Sequence, residues 1–130
     1  MAHLTYFVLC ENYLFNDGKT TLVNIYDTVN ASEFPAVVKN FVIAMAIKDV
    51  NESDLVDGKI KAYIELVGEK KPEEVIKMDL EQEITNFPAN VTSSVDLGGK
   101  IQFIEETHFT GKLYLNKQHM GTLTFEVKKA

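Results

Sequence analysis

Four acidic side chains, Asp49, Glu52, Asp54 and Asp57, lie within one polar stretch, and hard oxygen ligands gathered in a loop at the rim of a β domain are what a calcium ion requires. Their spacing is not that of an EF-hand. Loop acids also keep loops hydrated and end strands, so residue type alone makes these four metal candidates. The imidazoles are His3, His108 and His119. A hairpin turning near Lys117 sets His119 beside the turn and His108 far down the opposite strand, which keeps them from sharing a metal or a proton.

Nucleophilic hydrolysis would need a strained serine elbow or a cysteine poised by a histidine, and neither pattern occurs. Ser93 and Ser94 read as ordinary loop residues. Cys10, the one cysteine, ends the apolar run Tyr6-Phe7-Val8-Leu9-Cys10. It reads as a buried, unreactive thiol, because reactivity needs an electropositive and partly open setting. A single cysteine also rules out a disulfide within these residues and a thiolate-held zinc. Gly98-Gly99-Lys100 lacks the earlier glycine and the following hydroxyl of a phosphate loop, and reads as a turn. No catalytic residue and no cofactor is predicted.

Two surface features remain. Asp79, Glu81 and Glu83, with Lys77, would form the wet face of a strand, or a docking face for a basic partner whose association salt would slow. The aromatics Tyr13, Phe15, Phe87 and Phe109 fall near turns, where they either fill the core or line an interface.

Charge narrows the partners. The chain carries 19 acidic residues against 13 basic ones, a net charge of −6 over 130 residues, and every basic residue is lysine. Nucleic-acid recognition leans on basic patches and guanidinium forks, so nucleic acid is not an expected partner. The first residues lack the basic and apolar regions of a secretory signal, and no apolar run approaches the roughly 20 residues that cross a bilayer. A soluble protein at a cytoplasmic address, with no membrane partner, is the expectation.

The elements that would position these residues are strands. His3 to Phe15 is aromatic and β-branched and ends at Asn16-Asp17-Gly18, a hairpin turn signal. Thr20 to Asn30 then alternates with Val23, Ile25 and Val29 on one face. Pro35 breaks the pattern, and Phe41, Ile43, Met45 and Ile47 mark a central strand from about Asn40 to Asp49. After the acidic loop and Asp57-Gly58, Ile60, Ala62, Ile64 and Leu66 alternate with polar residues. Residues 73–84 admit two readings. Ile76, Met78, Leu80, Gln82 and Ile84 alternate as a strand, while Ile76, Leu80 and Ile84 also fit an amphipathic helix begun by Pro72; the strand is preferred. Asn86 to Gly99 reads as an irregular connection, and the chain closes with a hairpin turning at Asn116-Lys117-Gln118. Seven to eight short strands separated by turn residues predict a single all-β domain over 1–130, an antiparallel β-sandwich.

Several of these segments coincide with a known pattern: Val8-Leu9-Cys10-Glu11, Asp17-Gly18-Lys19, Val23-Asn24-Ile25-Tyr26-Asp27, Phe34-Pro35-Ala36 and Asp57-Gly58. Together they resemble a family of uncharacterised bacterial β-sandwich proteins, a domain of unknown function. The resemblance implies a cysteine-bearing first strand, a Gly-Lys turn, a Phe-Pro turn and a terminal hairpin. Glu105-Glu106-Thr107-His108-Phe109 departs from it, standing where a proline and glycine turn would be expected. The resemblance supplies a fold and no chemistry.

An intact β pattern without a recognisable catalytic set points to a non-enzymatic binding or assembly module. Free sheet edges would pair with a protein partner or with a second copy, making a homodimer the expected assembly. A small-ligand binder with a pocket between the sheets is the alternative reading, and an enzyme with an unfamiliar site is the third.

Overall fold

The computed structural model describes residues 2–130. Asp17 and Gly18, with φ of 51° and 72°, make the tight turn between β1 (His3–Asn16) and β2 (Lys19–Ile25), a turn whose two central residues both need positive φ. The segments β3 (Thr28–Ala31) and β4 (Ala36–Val37) lead into β5 (Val42–Val50), and a 3-10 turn at Glu52–Asp54 precedes the long hairpin of β6 (Lys59–Gly68) and β7 (Lys71–Glu83). Then come β8 (Ala89–Asp96), β9 (Gln102–Phe103) and a last hairpin, β10 (Thr107–Leu115) and β11 (Gln118–Lys129). Asn116 and Lys117, with φ of 47° and 72°, close that hairpin.

The strands form one sheet of order β2-β1-β5-β8, a second of order β3-β11-β10-β6-β7, and a two-stranded ribbon of β4 and β9. This all-β, sandwich-like architecture is the one the sequence predicts, with four corrections. Nine strands make up the two main sheets instead of seven or eight, and β3 pairs parallel with β11, so the pairing is not wholly antiparallel. The expected single strand from Thr20 to Asn30 is two. Asn24 sits at φ 51°, the ladder with β1 ends at Ile25, and β3 belongs to the other sheet. The predicted irregular stretch at Asn86 to Gly99 holds β8, which takes Ser93 and Ser94 out of a loop. Residues 73–84 lie almost wholly within β7, as the strand reading has it.

Alternation explains the core. Phe7 and Leu9 of β1, Ile43, Met45 and Ile47 of β5, and Ile60, Ala62, Ile64 and Leu66 of β6 point between the sheets and are buried. Each large side chain taken from water contributes about 1.5–3 kcal/mol. Four phenylalanines hold one end. Phe41 meets Phe125 edge-on with centroids 5.5 Å apart, Phe103 meets Phe109 at 5.4 Å, and Phe109 stacks on Phe125 at 5.1 Å. On the outer face of the first sheet Cys10, Val42 and Ala44 form a second small cluster under Tyr6, Val8, Tyr13 and Leu22. That accounts for the unbroken apolar run of β5, which is covered on both sides.

Candidate functional site

The four acids at the end of β5 and in the loop after it take up separate positions. Asp49 is exposed at φ 59° beside a register shift in β5, and Asp57 occupies the turn before β6 at φ 54°. Asp57 Oδ2 stands 3.9 Å from Lys61 Nζ. Asp54 Oδ2 accepts the Asn51 N–H at 2.8 Å, which fixes the 3-10 turn, and the Asp54 carbonyl accepts from the Asn116 side chain. Glu52 is exposed. Among the described residues no three His, Cys, Asp or Glu side chains gather as ligands. Each acid that is engaged is engaged in shaping the loop.

The other chemical residues are also dispersed. His108 lies between Glu69 at 3.4 Å and Glu126 at 3.2 Å, whereas His119 contacts Thr122 at 2.9 Å and tilts against the Tyr114 ring. Cys10 is fully buried, and burial pushes its thiol above the usual range. Nearby phenols respond to burial in the same way. Tyr26 is pushed up to about 12, chiefly by burial and then by the charge of Glu11, and its hydroxyl donates to the Asn40 carbonyl at 2.7 Å. The Tyr6 hydroxyl is also raised by burial and faces Thr20 without closing a hydrogen bond.

The acidic row of β7 has Lys77 on its own strand and faces Lys59 and Lys61 across the ladder with β6. Glu81 reaches Lys59 at 2.9 Å, an exposed pair in which the ammonium holds the carboxyl below its usual range. Lys77 lies 4.5 Å above the Tyr63 ring, which stacks on Tyr114. Of the turn-associated aromatics, Phe15 is exposed, Tyr13 and Phe87 are half-buried, and Phe109 packs into the core.

What stands out is the edge formed by β8. Four strands end the two main sheets: β2, β8, β3 and β7. Unpaired edges invite further strands, and folds blunt them with short length, proline, charge or irregular backbone. β7 carries Pro72 and a series of charged residues, β3 has four residues, and β2 is bent at Asn24. β8 has eight residues, Ala-Asn-Val-Thr-Ser-Ser-Val-Asp, with a single charge at its last position, Asp96. Among the described residues its backbone pairs with β5 on one side and with nothing on the other.

Beside that edge the core is incompletely roofed. The first sheet has four strands and the second has five, so β7 projects beyond its cover. The inward side chains of β6 are buried to 4% exposure or less. Those of β7, Ile76, Met78, Leu80 and the following Ile84, are half-buried. A narrow gap of about 20 Å³ opens here among Val91 and Ser93 of β8, Leu80 and Gln82 of β7, and Ile60, Ala62 and Met45 beneath. Farther along β7 a cleft of about 170 Å³ lies between the β6–β7 turn and residues 101–105, with Ile76, Ile101, Phe103 and Phe109 as its apolar surface. Lys70, Lys71, Glu74 and Glu105 share its rim.

β8 is the element the sequence reading missed. Its signal was present in Val91, Ser93 and Val95 at spacing two and in the β-branched Val91-Thr92 pair. Two serines, an asparagine and Pro88 outweighed it.

The chain belongs to the family of unknown function DUF6941, whose model matches residues 5–128. No curated protein matches it. Among the described residues no helix is long and apolar enough to cross a membrane.

Proposed function

We propose that this protein is a non-enzymatic binding module that takes an extended segment of another protein onto the free edge of β8. One observation carries the reading: an unguarded eight-residue edge strand lies beside a row of half-covered apolar side chains on β7. An added strand would gain main-chain hydrogen bonds from β8 and would roof Met78 and Leu80, which is the physical basis of strand addition.

The test is a selection from a displayed library of random extended peptides, followed by hydrogen exchange and affinity measurement. Selected peptides are expected to slow amide exchange within residues 89–96. They should also lose most of their affinity for Ser93→Lys, because an inward-pointing charge at an edge is a natural guard against added strands. Ser93 is half-buried at the gap, so a lysine there can reach solvent and the fold survives. A library that yields no binder, or binders that protect other strands and ignore Ser93→Lys, overturns the reading.

A further inference from the structure

We infer that the cleft between the β6–β7 turn and residues 101–105 is a binding site for a small zwitterion bearing one apolar ring, an amino acid of the phenylalanine kind. No residue of β8 lines this cleft, which makes it a site separate from the edge to which strand addition is assigned.

The apolar surface of the cleft is built largely from rings. Phe109 stacks on Phe125 at 5.1 Å and meets Phe103 edge-on at 5.4 Å, and Ile76 and Ile101 complete the apolar lining. Phe109 lies opposite Gly68 in the ladder between β6 and β10, where an added Cβ would come within 3.1 Å of the ring. The missing side chain at Gly68 therefore leaves the Phe109 ring its place. At about 170 Å³ the cleft is smaller than the roughly 300–1,000 Å³ of pockets for drug-sized ligands, and close to the roughly 150 Å³ in which an apolar cavity holds benzene. One ring fits. Ile104 also lines the cleft and is 52% exposed, an apolar side chain left to water that a bound ring would cover.

The rim carries both signs of charge. Val67 pairs with Val75, and the next residue, Gly68, pairs with Lys71, so Pro72, Glu73 and Glu74 bulge out of the ladder and bring Glu74 to the cleft. Glu69 donates its N–H to the His108 carbonyl at 2.8 Å, which ties the turn bearing Lys70 and Lys71 to β10. Glu105 belongs to the facing wall. Among the described residues none of these four rim charges is held in an ion pair. Opposite charges that do not neutralise one another leave room between them for a ligand with both, a carboxylate toward the lysines and an ammonium toward the glutamates. A ligand of one sign would meet two repulsive charges along with its two attractive ones.

Amide NMR shifts of the whole protein, titrated with phenylalanine, phenylpropionate, phenethylamine and alanine, provide the test. Phenylalanine is expected to move the amides of residues 68–76 and 101–109. The two analogues that keep the ring but lack the ammonium or the carboxylate should each bind about threefold more weakly, the range of an exposed ion pair. Alanine, which has both charges and no ring, should bind at least about tenfold more weakly. Lys70 is exposed and Lys71 half-buried, so Lys70→Gln/Lys71→Gln keeps the fold; it should weaken phenylalanine about threefold without weakening phenethylamine. Equal affinity for the three ring compounds, or tightest binding by one of the singly charged pair, refutes the zwitterion. Shifts confined to other residues, or none at millimolar phenylalanine, refute the site. Strand addition survives each of these failures, because its readout is exchange within residues 89–96.

Discussion

Replacing Gly98 with alanine should destabilise the fold more than replacing its neighbour Gly99, although Gly99 has the less usual backbone. A Cβ on Gly98 would run into the Lys39 carbonyl oxygen and stand 2.9 Å from its carbon. Both are main-chain atoms and cannot swing aside as a side chain would. Their segment is also tied in place, since Gly99 donates to the Val38 oxygen and Leu97 to the Phe41 oxygen, each at 2.8 Å. Forcing a methyl into such a site costs about 2 kcal/mol. Gly99 lies at φ 74° with nothing within 4 Å of a Cβ, so alanine there incurs only left-handed strain, about 1 kcal/mol. Unfolding entropy near 2 cal/mol/K per residue converts each kcal/mol into about 4 °C for a chain of this size. Gly98→Ala should therefore melt about 7 °C lower and Gly99→Ala about 4 °C lower. Gly99→Asn should fall less, because asparagine tolerates the left-handed region. Circular dichroism melts of the three variants read the difference. A Gly98→Ala protein as stable as Gly99→Ala would refute the close approach, and with it the corner that ends β8.

Two further expectations concern buried side chains. Cys10 is fully buried with its thiol raised by that burial, so a thiol reagent such as DTNB should modify the native protein at least about a hundredfold more slowly than the unfolded chain; stoichiometric reaction within mixing time at neutral pH would contradict this. Tyr26 has its phenol raised to about 12 by burial and by Glu11. The folded state then holds a proton that the unfolded state releases near pH 10, so the phenol's stabilising contribution is complete below pH 10 and is lost as the pH rises toward 12. Tyr26→Phe should show a shallower fall in melting temperature across that window, and an unchanged slope would show that the burial is not felt.

The parts of the fold legible in the sequence are those where burial differs sharply between the two faces of a strand. Ile60, Ala62, Ile64 and Leu66 alternate with Lys59, Lys61, Tyr63 and Glu65, and the strand appears where the alternation puts it. In β7 the helical spacing of Ile76, Leu80 and Ile84 competed with that alternation, and ladder pairing with β6 over nearly its whole length decided for the strand. The break at Asn24 was hidden because the side chains on either side continue a strand pattern while the backbone turns to positive φ. The acidic loop was legible in composition only. Composition names ligands, but Asp54 and Asp57 are engaged by the Asn51 amide and by Lys61, and no spacing rule discloses that.

β8 was illegible for a reason that bears on its proposed role. A strand buried between neighbours must present a strong apolar period, whereas an edge strand has one side of its ladder open and its side chains meet solvent sooner, so Asn90, Thr92 and Ser94 are tolerated. The same openness is what a binding edge requires. Guarding it would need only a charge or a proline among residues 89–95, the devices that β7 displays in Pro72 and its neighbours. One sheet edge of this molecule is thus heavily protected against added strands, while the edge across the gap from it is left open above half-roofed apolar side chains. Stability alone does not account for that asymmetry, because covering Met78 and Leu80 with a fifth strand would bury more apolar surface at little cost in chain length. The reversible occupant proposed above would account for it.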